Sequence, residues 1–142
     1  MAKTARKPQK RWVYSPRKPV PPKIPAPLKA EVERKGQALV ESYLKPTYVK
    51  PPPEEPQFNY IIDIYTKWYR SYFYFCATFA VAGPNAIMPS FESKFARLTY
   101  EGADRFTLSF MRYTGEWVEL YQDQSIDQCL EAIKVDPWFQ LS

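Results

Sequence analysis

The spacing of apolar positions changes along the chain, and each spacing predicts a different element. Over residues 28–44, apolar side chains recur every three or four positions, which predicts a helix that ends at Pro46. A second helix over 57–71 is predicted by the same spacing in Phe58, Ile61, Ile62, Tyr65, Trp68, Tyr69 and Tyr72. The run 72–82 is aromatic and β-branched, which favours a buried strand, although a continued helix also fits.

Alternation of apolar and polar residues takes over after residue 90 and predicts three strands, at about 93–101, 105–114 and 116–122. Gly102 and Gly115 lie in the short segments between them and indicate tight hairpins. A short helix is predicted from Ser125, an N-cap residue followed three positions later by Gln128. We therefore expect an α+β fold, a small antiparallel meander of three to four strands with helices on one face.

Proline and charge divide the chain into three predicted parts. Residues 1–27 form an extended, basic, proline-rich arm, 28–56 a helix with a proline-rich connector, and 57–142 an aromatic-rich globular domain. Residues 1–56 hold twelve of the fifteen prolines and thirteen Lys/Arg against five Asp/Glu. Residues 57–142 hold seven Lys/Arg against ten Asp/Glu, and twenty of the twenty-four aromatic residues. The 28–44 helix either packs on the globular domain or is an amphipathic helix that binds a partner.

Residue types that are missing exclude several classes of function. The chain has no histidine, which removes Ser-His-Asp and Cys-His nucleophiles and His-containing zinc sites. Its two cysteines, Cys76 and Cys129, are too few for a four-sulfur metal site and are interpreted as buried apolar residues. No glycine-rich phosphate loop is present, and no pattern places carboxylates, Tyr and Lys together. We therefore predict no catalytic residue, no metal site, no cofactor and no enzyme activity.

Hydropathy gives an expectation for location. The charged start has no apolar segment behind it, so a secretory signal is not expected. The most apolar run, 72–82, is about half the ~20 residues that a membrane-spanning helix needs. We predict a soluble, cytoplasmic protein without a membrane span.

The arm carries the first set of candidate binding residues. Its prolines favour the extended polyproline II conformation, which would space the cations along a line. Such a line suits phosphates, because each neutralised phosphate releases counterions. The candidate phosphate contacts are Lys3, Arg6, Lys7, Lys10, Arg11, Arg17 and Lys18, and Trp12 and Tyr14 are candidates for base stacking. The same composition also fits a solvated linker or a proline-rich ligand for an aromatic groove.

The second set of candidates lies on the predicted sheet. Alternation places Phe106, Leu108 and Phe110 on a core face and a mixture of aromatic and basic residues on the other. The candidates for stacking or docking on that second face are Phe95, Arg97, Tyr113, Trp117 and Tyr121. Aromatic side chains interleaved with arginine form platforms for unpaired bases, but equally mark protein interfaces. A helix or a second subunit covering this face is therefore an open alternative.

The order helix–strand–strand–strand–helix loosely resembles that of double-stranded RNA-binding domains. In that family the second helix opens with lysines that contact phosphates, whereas here the corresponding helix carries acidic Asp127 and Glu131. The stretch from Met111 to Trp117 resembles small uncharacterised bacterial proteins, a resemblance that implies no function.

Two functions remain after these exclusions. The first is a non-enzymatic accessory subunit that binds nucleic acid or a ribonucleoprotein through the cationic arm. The alternative is a structural adaptor of a larger complex, which docks through the proline-rich arm and the aromatic sheet face and whose charge meets an acidic protein.

Overall fold

A computed structural model describes residues 22–52, 54, 58–83 and 89–141 of the 142-residue chain. These residues form one antiparallel sheet with helices against one of its faces. The predicted α+β class is confirmed for the described residues. The predicted number of strands, three to four, was too low because the sheet has five.

The first helical segment is longer than the apolar spacing predicted. Helix α1 (Ala26–Leu39) continues through a π-helical turn (Val40–Leu44) into a short helix α2 (Lys45–Tyr48). The prediction that Pro46 ends the helix was therefore wrong. Pro46 lies in the first turn of α2, directly after the π turn, and a first turn is where a missing amide hydrogen is tolerated.

The five strands follow one another in both sequence and space. They are β1 (Tyr60–Tyr69), β2 (Tyr72–Ala80), β3 (Ser90–Gly102), β4 (Arg105–Met111) and β5 (Trp117–Gln124). Their order in the sheet is β1-β2-β3-β4-β5, and every neighbouring pair is antiparallel. The predicted meander is thus confirmed, with one hairpin more at its beginning.

The additional strand is β1, and the helix predicted over 57–71 was wrong. Aromatic and β-branched residues fill this segment, and such residues favour a pleated surface over a helix. Pairing with β2 decides the conformation, because Ile64 lies opposite Ala77 and Trp68 opposite Phe73 in a continuous ladder. The apolar residues that have helical spacing are thus distributed over both faces of β1, which is an edge strand. The run 72–82 is a strand up to Ala80, as its composition favoured.

The core lies between the helices and one face of the sheet. Helix α1 and the π turn contribute Val32, Val40 and Leu44, all fully buried. Helix α3 (Ile126–Val135) and the 3-10 turn after it (Pro137–Phe139) add Ile126, Cys129, Ile133 and Phe139. The sheet supplies Ile61, Ile64, Phe73, Phe75, Ala77, Phe95, Ala96, Leu98, Tyr100, Phe106 and Leu108. The first helix thus packs on the sheet, which is the first of the two alternatives for it.

Local sequence fixes where α3 begins. The amide of Gln128 donates to the Ser125 hydroxyl at 3.1 Å, and the amide of Ser125 donates to the Gln128 side chain at 2.9 Å. This reciprocal pair is the predicted capping box, and it satisfies two donors at the helix start. On the surface, an exposed ion pair between Lys35 and Asp127, with nitrogen and oxygen 2.9 Å apart, links α1 to α3.

Candidate binding face

One face of the sheet remains outside the helix-covered core, and we call it the open face. In the pairing register, residues of the open face alternate with those of the core. Lys67, Tyr74, Arg97, Ser109 and Glu119 form one row across all five strands. The open face as a whole carries Tyr65, Lys67, Tyr69, Tyr72, Tyr74, Glu92, Lys94, Arg97, Thr107, Ser109, Met111, Trp117 and Glu119.

An arginine surrounded by aromatic rings lies at the centre of this face. The guanidinium carbon of Arg97 is 4.8 Å from the ring centroid of Tyr72 and 4.8 Å from that of Trp117. The rings of Tyr74 and Trp117 are 5.8 Å apart, and those of Tyr72 and Tyr74 are 6.0 Å apart. We call Tyr72, Tyr74, Arg97 and Trp117 the aromatic–arginine cluster. Cation–π attraction holds the guanidinium in a fixed orientation.

Arg97 has no ionic partner in the part of the chain that the structure describes. Its Nε atom is buried and lacks a hydrogen-bond partner there. The hydroxyl of Ser109, opposite Arg97 in the ladder, is likewise buried and without a partner. Buried donors without partners are costly and normally paired. A guanidinium held in place with an unpaired Nε donor is suited to binding an anion.

Beside the cluster, one carboxylate accepts hydrogen bonds from two lysines. Glu92 accepts from Lys67 Nζ at 2.9 Å and from Lys94 Nζ at 3.0 Å, and it also accepts from the Tyr65 hydroxyl. The hydrogen bond to Glu92 is the largest cause of a raised pKa at Lys94, so this lysine stays charged at neutral pH. Its Nζ also lies 5.7 Å from the ring centroid of Tyr74, which connects this group to the aromatic–arginine cluster.

A shallow groove of about 550 Å³ opens along these side chains. Tyr69, Tyr74, Met111 and Trp117 supply its apolar lining, and Lys67 and Lys94 supply cations. Tyr69 is exposed at the edge of the sheet, whereas Tyr74 is buried. The groove therefore offers flat aromatic surface with positive charge beside it, a combination that suits unpaired bases and also peptide segments.

Cys76 lies between Tyr65 and Lys94 in register but offers no nucleophile. The thiol is fully buried, and burial is the largest cause of its raised pKa, which outweighs the opposite influence of Lys67 and Lys94. A thiol with a raised pKa is mostly protonated at neutral pH and therefore unreactive. Among the described residues there is also no group of three or more Cys, Asp or Glu placed to hold a metal ion.

Comparison with known proteins identifies a family without a known function. Residues 24–140 match the model of a domain of unknown function, DUF3024. The chain belongs to this family. The sheet and the helices of the described residues lie within the matched DUF3024 domain, and residues 1–23 precede it. No curated protein and no solved structure matches the chain. None of the helices within the described ranges is both long enough and apolar enough to cross a membrane.

Of the five candidates predicted on the sheet of this DUF3024 domain, two lie together on the open face, namely Arg97 and Trp117. Tyr113 lies instead in the turn between β4 and β5 and is 95% exposed, away from the cluster. The strand predicted over 105–114 ends at Met111, which leaves Tyr113 outside the ladder.

Phe95 and Tyr121 were assigned to the wrong face. A β-bulge interrupts the pairing of β2 with β3, so that Phe75 lies opposite Ala96 while the next residue pairs with Lys94. Phe95 is the additional residue of this bulge and packs in the core, 6.3 Å from Phe75 between ring centroids. Two further shifts disturb the pairing of β4 with β5, and the Tyr121 hydroxyl donates to Asp136 after α3. Bulges rotate a strand, and alternation alone does not reveal them.

Sequence reasoning missed Tyr72, Tyr74, Lys94 and Lys67 as members of the open face. Lys67, Tyr72 and Tyr74 lie on β1 and β2, which the aromatic spacing either assigned to a helix or left undecided, and Lys94 was missed because the bulge at Phe95 shifts the alternation in β3. A signal was present, because Tyr72, Tyr74 and Cys76 alternate with Phe73, Phe75 and Ala77. With both sets aromatic, that alternation did not separate a polar side from an apolar one.

The candidates in the arm lie outside the described residues. These are Lys3, Arg6, Lys7, Lys10, Arg11, Trp12, Tyr14, Arg17 and Lys18. The described end of the arm passes the hairpin end of the sheet, where Pro22, Lys23 and Ile24 line a hollow together with Arg70 and Tyr72. A Cβ added at Gly102, in the β3–β4 turn, would lie 3.8 Å from the Pro22 ring. The arm therefore joins the domain beside the aromatic–arginine cluster.

Proposed function

We propose that this protein is a non-enzymatic binding subunit that holds single-stranded nucleic acid on the open face, with the cationic arm contacting the phosphates. The observation that carries the proposal is Arg97, whose guanidinium lies between Tyr72 and Trp117 without an ionic partner among the described residues. Aromatic rings beside fixed cations are the usual components of surfaces that bind unpaired bases and their phosphates.

The distribution of charge along the chain supports different roles for the open face and the arm. Residues 22–142 carry thirteen Lys/Arg against fifteen Asp/Glu, so the domain alone does not attract a polyanion strongly. Residues 1–21 carry seven Lys/Arg and no acidic residue. In this proposal the arm supplies most of the salt-sensitive attraction, and the aromatic rings supply stacking that depends little on salt.

The test is a titration of the full chain with a single-stranded oligouridylate at several salt concentrations. We expect affinity to fall steeply with salt, with a log–log slope of about −0.7 per phosphate contact. Arg97→Gln is expected to make the slope shallower by about one contact, whereas the matched variant Arg34→Gln, on the exposed side of α1, leaves it unchanged. Loss of a stacked base in Trp117→Leu costs about 1–3 kcal/mol of binding free energy.

Equal effects of Arg97→Gln and Arg34→Gln would contradict the role of the open face. Failure of the full chain to bind near physiological salt would remove the proposal altogether. Thermal unfolding of each variant separates a loss of binding from a loss of folding.

A second candidate, the structural adaptor, is favoured by the groove itself. Grooves lined by Trp and Tyr recognise proline-rich segments in the polyproline II conformation, and Tyr69, Tyr74 and Trp117 line this one. In that case the open face binds a proline-rich protein partner. The adaptor predicts binding of a proline-rich peptide that added oligouridylate does not displace, and no salt-dependent binding of the oligouridylate.

A further inference from the structure

We propose that the segment 12–21 of the arm lies along the open face of its own chain when no nucleic acid is bound, and that nucleic acid displaces it. The position where the arm joins the domain is the first support. Pro22 lies next to Gly102, and the hollow that it lines includes Tyr72 of the aromatic–arginine cluster. A segment that continues from Pro22 therefore begins at the edge of the open face.

The length of the segment matches the length of the face. Ten residues in the polyproline II conformation span roughly 31 Å at about 3.1 Å per residue. Strand β2, which runs along the face from Tyr72, has nine residues and so spans roughly 30 Å at about 3.3 Å per residue. An arm that follows β2 from its hairpin end therefore covers the face from end to end.

The chemistry of the segment suits the groove. The segment holds Pro16, Pro19 and Pro21, and extended proline-rich chains dock between exposed Tyr and Trp rings because they lose little conformational freedom on binding. Tyr69 is exposed and Trp117 is half-buried, and both rings line the groove. The proposed contact is therefore a polyproline-like ligand on an aromatic groove within one molecule.

Charge complementarity points to the same occupant. The segment 12–21 holds Arg17 and Lys18 and no acidic residue, and residues 22–142 have two more acidic than basic residues. Glu119 lies on the open face, opposite Ser109 in the ladder, and Glu101 accepts from the hydroxyl of Thr107, an open-face residue, at 2.6 Å. These carboxylates attract the two cations of the segment.

Displacement by nucleic acid rests on the proposed function, whereas docking of the arm does not. When phosphates bind the arm's cations, the arm leaves the carboxylates of the face, and the aromatic rings become available to bases. Binding therefore includes the cost of releasing the arm, and this lowers the apparent affinity of the domain.

The test uses a nitroxide spin label on Ser15→Cys in the isotope-labelled full chain. Cys76 and Cys129 are fully buried in the fold, so the added cysteine takes the label. Docking predicts a loss of NMR peak intensity at Tyr74, Arg97 and the Trp117 indole, with little loss at Glu131 on α3. A matched label at Ser42→Cys, exposed on the helical side, is expected to leave the open face unaffected.

Every outcome of this experiment either supports or overturns docking of the arm on the open face. No loss of intensity, or equal loss on both faces, overturns docking. A mixture of spin-labelled chains with separately isotope-labelled chains detects docking between molecules, and losses of equal size in that mixture assign the face to the arm of a second copy and overturn the same-chain proposal.

Addition of oligouridylate then separates docking from function. Recovery of the lost peaks on binding supports displacement. Binding without recovery overturns displacement, and absence of binding while the losses persist shows that the proposed function has failed although docking stands.

Discussion

Gly36 of α1 faces the ring of Phe73, and the absence of a side chain at position 36 sets how closely the helix packs on the sheet. A Cβ added at Gly36 would lie 2.7 Å from Cε2 of Phe73 and 2.8 Å from Cζ. The Phe73 ring is fully buried and packs against Trp68 and Phe75, at centroid distances of 4.8 Å and 5.5 Å. Glycine in a helix interior is unfavourable, and this contact explains its presence.

We predict that Gly36→Ala destabilises the protein, although alanine is the better helix former. Overpacking in a core costs about 1–3 kcal/mol, against about 1 kcal/mol gained in helix propensity. Denaturant unfolding should show a net loss of up to about 2 kcal/mol in the free energy of unfolding. In a Phe73→Leu background the cost of Gly36→Ala should disappear, and a persistent cost there would show that another contact is responsible.

Ser125 is predicted to stabilise the start of α3 through its hydroxyl. Ser125→Ala removes the acceptor for the Gln128 amide and should lower the free energy of unfolding by about 1 kcal/mol. Ser125→Asp keeps an acceptor and should retain most of the stability. An equal loss in both variants would mean that packing around residue 125 matters more than the cap.

Ala103 in the β3–β4 turn has a strained backbone conformation that a glycine at this position would relieve. Ala103 has a φ of +52°, in the left-handed region that costs a residue with a Cβ about 1–2 kcal/mol. Ala103→Gly should therefore raise the free energy of unfolding, by about 0.5–1 kcal/mol after the entropy of glycine is counted. The same substitution at the exposed helical Ala38 should lower it by about 1 kcal/mol. Effects of the same sign at both positions would argue against strain.

Cys129 is predicted to make stability fall in alkaline solution. Burial raises the pKa of its thiol from an ordinary value of 9.0 to about 12, so the folded state keeps the proton while the unfolded state loses it. Between pH 9.0 and about 12 the unfolded state binds fewer protons, and the free energy of unfolding falls by up to ~1.4 kcal/mol per pH unit. Urea unfolding across this range should show a shallower decline in Cys129→Ala, whatever its absolute stability. An unchanged slope would contradict the prediction.

The elements that were predictable depend on local signals. The capping box at Ser125 and Gln128 fixes α3 from within four residues, and the turn at Ala103 and Asp104 joins two strands whose alternation is regular. Arg97 and Trp117 were placed on one face because alternation holds from Arg97 to Tyr100 in β3 and at the start of β5. These features need no knowledge of distant contacts.

The remaining features depend on pairing between distant segments. Residues 60–69 have helical spacing, yet the ladder with β2 holds them as a strand. Phe95 and Tyr121 changed face because bulges shift the register, and a bulge is determined by how two strands fit rather than by one of them. Two of the four residues of the aromatic–arginine cluster, Arg97 and Trp117, were therefore predicted. The other two, Tyr72 and Tyr74, are placed beside them only by the pairing of β2 with its neighbours.

Photochemical crosslinking of a single-stranded oligouridylate to the full chain, with the crosslinked peptides mapped by mass spectrometry, tests the role of the open face most directly. Tyr72, Tyr74 and Trp117 are expected to carry crosslinks, and Arg97→Gln should reduce them while Arg34→Gln does not. Crosslinks confined to α1, α3 or the arm, with none on these three residues, would contradict the account.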